Sequence, residues 1–115
     1  MIIGASDKPD RYAYKAAHQL VNHNHELILI GNRIAEVAGI KIQTEKLLQE
    51  NIDTVTLYIG PQHQEAYFNY ILSLNPKRVI FNPGTENEDF AQLLESKGIE
   101  ATEACTLVLL ATNQF

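Results

Sequence analysis

The sequence is poor in cysteine and has no long apolar run. Cys105 is the single cysteine among 115 residues, so the chain cannot form an internal disulfide, as is usual in reducing compartments. The apolar runs are too short to span a bilayer, and residues 1–6 lack the charged and apolar segments of a secretory signal. We therefore expect a cytoplasmic protein without a membrane contact.

Positive charge is also scarce. The chain has nine Lys and Arg residues and 14 Asp and Glu residues, which gives a formal net charge of −5. General binding of nucleic acids requires a basic surface that neutralises phosphates. We therefore expect no nucleic-acid partner.

Two glycine-rich nucleotide-binding motifs are missing. The chain has neither the dinucleotide fingerprint GxGxxG nor the phosphate loop GxxxxGK[ST]. Only Gly4 of the fingerprint is present, and Ser6 stands where a second glycine would let a pyrophosphate approach the backbone. Ordinary NAD binding is therefore disfavoured.

What the sequence does contain is an alternation of β-rich and helix-like segments. Strands are predicted at 2–5, 26–30, 54–59, 78–81 and 99–102. Helices are predicted at 13–21, 44–50, 61–74 and 85–98, and residues 104–111 fit either a helix or a strand. This order predicts an α/β fold in one domain (1–115), a doubly wound three-layer sandwich with a mostly parallel sheet.

Capping signals mark two of the predicted helices. Asp10 is positioned to cap the first helix. Thr85 and Glu88 have the spacing of a capping box, and Gly98 is positioned to end the helix that they begin.

The loop after the first predicted strand concentrates positive charge. Lys8, Arg11 and Lys15 lie near the start of the first helix, where the helix dipole is already positive, and each cation there costs a few tenths to about 1 kcal/mol. A bound phosphate would turn that free-energy cost into a stabilisation, because the loop N–H groups, the dipole and the cations would all attract it. The alternative is that these side chains are simply solvated, with Asp7 and Asp10 neutralising part of the charge.

A second candidate phosphate position follows the second strand. An NAD site usually carries an acidic residue here for the ribose hydroxyls, and the stretch Gly31-Asn32-Arg33 has none. Arg33 instead suits a phosphate on the adenosine ribose, as in NADP or coenzyme A, or it is an ordinary surface residue. Ligands of doubly wound folds bind at the carboxyl ends of the strands, so both loops belong to the expected site.

Four segments, in this order along the chain, are IIGASDKPDRYAYKAA, DTVTLYIGPQHQ, NPKRVIFNPGTENEDF and IEATEACTLVLL. Together they resemble the small bacterial coenzyme A-binding proteins, single-domain relatives of the coenzyme A-binding domain of succinyl-CoA synthetase. The resemblance implies a Rossmann-like sheet that binds coenzyme A or an acyl-CoA across its carboxyl edge.

The resemblance also implies which residues contact the cofactor. The diphosphate would lie against Gly4, Ala5, Ser6, Arg11, Tyr12 and Lys15. The adenosine and pantetheine parts would lie along Ile59, Gly60, Pro61, Asn82, Pro83, Gly84 and Thr85. Asn32 and Arg33 align with the Asn-Pro of the V-N-P that commonly holds the adenosine ribose in this family, so this chain keeps the Asn and departs at the Pro.

Cys105 and two histidines are the remaining candidates for chemistry. Cys105 follows the last predicted strand, where it is either an inert core thiol or a thiolate that forms a mixed disulfide with coenzyme A. His23 and His25 have no further ligands at metal-binding spacing, so we expect a polar turn and no metal. No paired carboxylates or Ser-His-Asp set stand out, so we name no catalytic residue.

Three functions fit these observations. The leading one is binding of a small-molecule nucleotide cofactor, coenzyme A or an acyl-CoA, without catalytic machinery. The second is an NADP-dependent oxidoreductase domain, which Arg33 permits and the missing glycine fingerprint opposes. The third is a regulatory or interaction module that has lost the ligand. A homodimer is a general expectation for a small domain.

Overall fold

The computed structural model describes residues 1–115, in which seven strands form one sheet in the order β3-β4-β2-β1-β5-β6-β7. The strands are β1 (Ile2–Ile3), β2 (Leu29–Ile30), β3 (Ala35–Val37), β4 (Ile40–Gln43), β5 (Thr54–Leu57), β6 (Arg78–Phe81) and β7 (Glu100–Glu103). All pairs are parallel except β3 with β4. The strand order reverses at β1, so a cleft opens beyond the carboxyl ends of β1, β2 and β5.

Five helices cover the two faces of the sheet. They are α1 (Tyr12–Asn22), α2 (Pro61–Gln64), α3 (Phe68–Leu74), α4 (Glu88–Ser96) and α5 (Thr106–Ala111), with a 3-10 turn at Glu65–Tyr67. None of them combines the length and the hydropathy that a membrane crossing requires. The predicted doubly wound, Rossmann-like α/β fold is confirmed.

Alternation along each strand divides the core between the two faces. Ile2 and Leu29 point into one cluster, where α1 contributes small alanines and α5 contributes Leu110. Ile3 and Ile30 point into the other cluster, which α3 and α4 cover. The alanines of α1 recur at helical spacing, which lets this helix lie close to the sheet at the cleft.

The predicted helix at residues 44–50 is wrong. These residues are irregular, and just before them β3 and β4 form an antiparallel hairpin that turns at Ala38 and Gly39, both with positive φ. Leu47 and Leu48, the apolar pair that suggested a helix, are both exposed, so such a helix would bury no apolar face. The segment is held instead by the Tyr70 hydroxyl, which donates to the Leu47 carbonyl at 2.7 Å.

The two predictions for helix N-caps are also wrong. Arg11, not Asp10, is the N-cap residue of α1, and its side chain makes no cap hydrogen bond. Thr85 is buried in a turn, where its hydroxyl donates to the Asn82 carbonyl at 2.8 Å, so α4 begins later. The cap of α4 is Asn87, whose side-chain oxygen accepts from the Phe90 N–H at 3.1 Å. Gly98 follows the end of α4 with φ +79°, as predicted.

The remaining segments differ from prediction mainly in their bounds. Residues 78–81 form β6 as predicted, and Pro61 occupies the first turn of α2. The predicted helix over 61–74 is interrupted by the 3-10 turn. Residues 104–111, for which helix and strand were both open, contain α5.

Candidate functional site

A groove of about 730 Å³ opens at the carboxyl edge of the sheet. Four loops form it, and we name them the opening loop (residues 4–11), the β2 loop (31–34), the β5 loop (58–60) and the β6 loop (82–87). Most of the residues expected to contact the cofactor line it: Gly4, Ala5, Ser6, Arg11, Tyr12, Asn32, Arg33, Ile59, Gly60, Pro83, Gly84 and Thr85.

Two glycines allow the groove-forming loops to touch. Gly4 has φ +95°, and a Cβ there would lie 2.7 Å from Ile59 Cγ2 and 2.8 Å from the Tyr58 carbonyl carbon and oxygen. A Cβ at Gly31 would lie 2.7 Å from the Ala5 carbonyl oxygen. The two glycines therefore let the opening loop pack directly against the β5 loop and the β2 loop.

A buried glutamine joins the β5 and β6 loops. The Gln64 side chain is fully buried, and its Nε2 donates to the Ile59 carbonyl at 3.0 Å and to the Thr85 carbonyl at 2.6 Å. Its Oε1 accepts from Asn87 Nδ2 at 3.2 Å. Gln64 does not line the groove, yet it sets the separation of two of its walls.

The rim of the groove is basic. Three cations line it (Lys8, Arg11 and Arg33) against one carboxylate, Asp7, in a chain whose net charge is −5. Arg33 pairs with Asp7, whereas Lys8 and Arg11 have no acidic partner within ion-pair distance. Two unpaired cations at one edge of an acidic protein favour an anionic ligand there.

The start of α1 lacks the usual acceptors. Its first turn contains no acidic residue, and its N-cap, Arg11, makes no cap hydrogen bond. By contrast, α4 begins with the Asn87 cap followed by Glu88 and Asp89. The dipole and the free N–H groups of α1 are thus left without a protein anion where the groove opens. Ser6 does not fill this role, because its Oγ already accepts from the Lys8 N–H at 3.1 Å.

Four expected contacts lie outside the groove lining. The Lys15 amine lies over the Tyr12 ring, 5.2 Å from its centroid. Pro61 is exposed at the start of α2. Cys105 is the half-buried N-cap residue of α5, so it belongs neither to the core nor to the groove wall. Asn82 is buried below the groove floor.

Both polar atoms of the Asn82 side chain form hydrogen bonds inside the protein. Its Nδ2 donates to Thr56 Oγ1 at 2.6 Å and to the Leu57 carbonyl at 2.9 Å, and its Oδ1 accepts from the Thr106 N–H at 2.8 Å. The amide therefore ties β6 to β5 and to the start of α5. The Asn82 side chain therefore supports the groove, and we predict that it makes no contact with a ligand.

Sequence reasoning missed Tyr58, His63 and Tyr67, which also line the groove. Tyr58 directly follows β5, so the rule that ligands bind after strands could have found it. His63 and Tyr67 are four residues apart, which is the spacing of one helical face. The 3-10 turn that carries Tyr67 was not visible in the pattern.

His23 and His25, which follow the end of α1, have local structural roles. His23 Nδ1 donates to the Gln19 carbonyl at 2.8 Å, and the His25 ring packs edge-on against Phe115 with centroids 4.9 Å apart. No group of three or more His, Cys, Asp or Glu side chains is arranged to hold a metal ion.

The Tyr58 hydroxyl is buried without a hydrogen-bond partner. Burial raises the pKa of Tyr58 to about 12, and nearby Cys105 adds to the shift. The hydroxyls of Thr106 and Thr56 act in the other direction and lower the pKa of Tyr58, although neither reaches hydrogen-bond geometry. The folded pKa exceeds the ordinary value of 10.0, so the stability associated with the neutral phenol is fully present below pH 10.0. This stability is lost as the pH rises toward 12.

Tyr58→Phe is expected to leave the free energy of unfolding at pH 7 unchanged or raise it by up to about 1 kcal/mol, because no hydrogen bond is lost. In an ultraviolet titration of tyrosinate, the variant should lack the step near pH 12. Tyr12→Phe, at a site 67% exposed, is the control and should keep that step. A clear loss of stability in Tyr58→Phe would mean that the hydroxyl has a partner.

Comparison with known proteins agrees with this architecture. The profile of a family described as CoA binding domain matches residues 1–111. The crystal structure of an uncharacterized protein, 53% identical, superposes with a TM-score of 0.97 over 99% of this chain and 94% of that chain. A Thermus thermophilus protein (cell-free ID.343), 20% identical, shares the fold with a TM-score of 0.87 over 99% of this chain and 87% of that chain. The uncharacterized protein YneT of Bacillus subtilis (strain 168) is 24% identical over 98 residues, which are 84% of this chain and 73% of YneT.

Proposed function

Because this chain belongs to the CoA binding domain family, we propose that it binds coenzyme A or an acyl-CoA in the groove at the carboxyl edge of the sheet. The proposal is one of binding and includes no catalytic step. It also places the protein in the cytoplasm, in keeping with its single unpaired cysteine.

The observation that carries the proposal is the uncapped start of α1 beside two unpaired cations. Lys8 and Arg11 line the groove next to N–H groups that no side chain satisfies. A diphosphate would accept from those N–H groups and neutralise both cations at once. This arrangement is otherwise unfavourable, which supports an anion as its normal occupant.

The size and lining of the groove suit the rest of the cofactor. A volume of about 730 Å³ lies within the range of roughly 300–1,000 Å³ usual for cofactor pockets. Tyr12 and Tyr67 line the groove, where an aromatic ring can pack against adenine.

Calorimetric titration with coenzyme A, dephospho-coenzyme A, NAD and NADP tests the proposal. We expect coenzyme A to bind most tightly and, at 100 times its dissociation constant, to stabilise the fold by about 2.7 kcal/mol. Arg11→Ala should weaken coenzyme A binding about tenfold, because a charge-assisted hydrogen bond is lost. Lys41→Ala, which removes the same charge from an exposed site on β4 away from the groove, should not.

Two other results would contradict the proposal. A preference for NADP over coenzyme A would favour an oxidoreductase domain. An absence of heat and of thermal stabilisation with all four compounds would favour a regulatory or interaction module that has lost its ligand.

A further inference from the structure

An ion pair crosses the groove between the opening loop and the β2 loop. The Nη2 group of Arg33 donates to Oδ1 of Asp7, 26 residues away in sequence. Both residues line the groove, with side chains 62% and 32% exposed. The pair therefore lies where a bound ligand can reach it.

The backbone beneath this pair is fixed. The Ile30 carbonyl accepts from the N–H groups of both Gly4 and Ala5 at 2.9 Å. Gly31 lies so close to the Ala5 carbonyl that no Cβ would fit between them. Because the two loops are held together at their base, Arg33 can change partners by side-chain rotation alone.

The geometry points to Asp7 as a specificity-determining residue, an internal counterion that holds Arg33 until a phosphate monoester on the ligand replaces it. This inference rests on the proposed function and names the part of the ligand that is selected. A phosphate monoester carries about −1.5 to −2 charges at pH 7 and three strong acceptor oxygens, so it attracts a guanidinium more strongly than the single charge of a carboxylate. A ligand without the monoester leaves the pair intact.

The exchange affects two classes of ligand to different extents. For a ligand with a phosphate on the adenosine ribose, Asp7 is a competitor, because its carboxylate must be displaced and then lies close to an anion. For a ligand that lacks this phosphate, the ion pair with Arg33 stays intact, and Asp7 affects the diphosphate only through its partly neutralised charge. Asp7 therefore lowers affinity for coenzyme A more than it lowers affinity for dephospho-coenzyme A.

Calorimetric titration of Asp7→Asn with these two compounds tests the inference. Asn has nearly the same shape and removes the charge, so we expect coenzyme A to bind about two- to fivefold more tightly, the range of an exposed ion pair. Dephospho-coenzyme A should gain less affinity, because for this compound only the charge near its diphosphate changes. Asp10→Asn is the matched control, because it makes the same charge change in the same loop outside the groove lining and should affect the two compounds equally. In an Arg33→Gln background, Asp7→Asn should no longer favour coenzyme A.

The possible failures are distinguishable. If the wild type binds both compounds but Asp7→Asn weakens coenzyme A or strengthens both equally, Asp7 orients Arg33 or acts only through net charge, and this inference alone is overturned. If the wild type binds neither compound, the proposed function fails and this inference fails with it.

Discussion

Gly4→Ala lowers the free energy of unfolding by about 2–4 kcal/mol and greatly weakens ligand binding; this is the largest effect that we expect at the groove floor. Two costs add. A φ of +95° strains any residue with a Cβ by about 1–3 kcal/mol, and the new methyl group would lie 2.8 Å from the Tyr58 carbonyl. The clash is with backbone, so it can be relieved only by separating β1 from the β5 loop.

Gly84→Ala separates these two costs. Gly84 has almost the same dihedral, φ +90°, but a Cβ there meets nothing within 4 Å. The loss of unfolding free energy in Gly84→Ala should therefore come from strain alone, about 1–2 kcal/mol. This loss is smaller than the one expected for Gly4→Ala. Chemical denaturation of both variants gives the comparison. Equal losses would show that close contact between the opening loop and the β5 loop does not matter for stability.

Asn82→Asp should be at least as damaging, with a loss of about 3–5 kcal/mol. The substitution keeps the shape of the side chain but puts an anionic oxygen where Nδ2 donates to Thr56 Oγ1 and to the Leu57 carbonyl. Asn82 is 1% exposed, so water cannot compensate for the lost donor or solvate the charge.

Asn69→Asp makes the same chemical change at an exposed position in the first turn of α3 and should alter stability by less than about 0.5 kcal/mol. Denaturant unfolding at pH 7 measures both variants. If Asn82→Asp were as stable as the wild type but unable to bind coenzyme A, Asn82 would be a ligand contact, as the resemblance implied, and not a support.

The parts of the fold that follow from local pattern were predictable. The strand at 78–81 consists of Arg78 followed by three apolar residues, and burial on both faces of a parallel sheet requires such an apolar run. The hairpin of β3 and β4 was not predicted, because its strands are short and partly polar and its turn, at Ala38 and Gly39, lacks the usual Asn-Gly signal. Residues 44–50 have a helical pattern, but no surface in the fold buries their leucines.

The site was predictable where position after a strand decides it. The opening, β2, β5 and β6 loops meet at the groove because parallel strands end at one edge. The direction of individual side chains was not predictable. Asn82 turns inward because buried donors and acceptors in β5 and α5 need it, and Gln64 matters through carbonyls 5 and 21 residues away. Such tertiary hydrogen bonds leave no periodic signal in the sequence.

The buried amide of Gln64 also bears on how the β5 and β6 loops of the groove can separate. One side chain holds the Ile59 and Thr85 carbonyls, so withdrawal of the four-residue helix α2 releases both in a single event. We therefore expect the β5 and β6 loops to lose this support together, as one local opening event. Displacement of one short helix would then widen the groove on both of these walls at once.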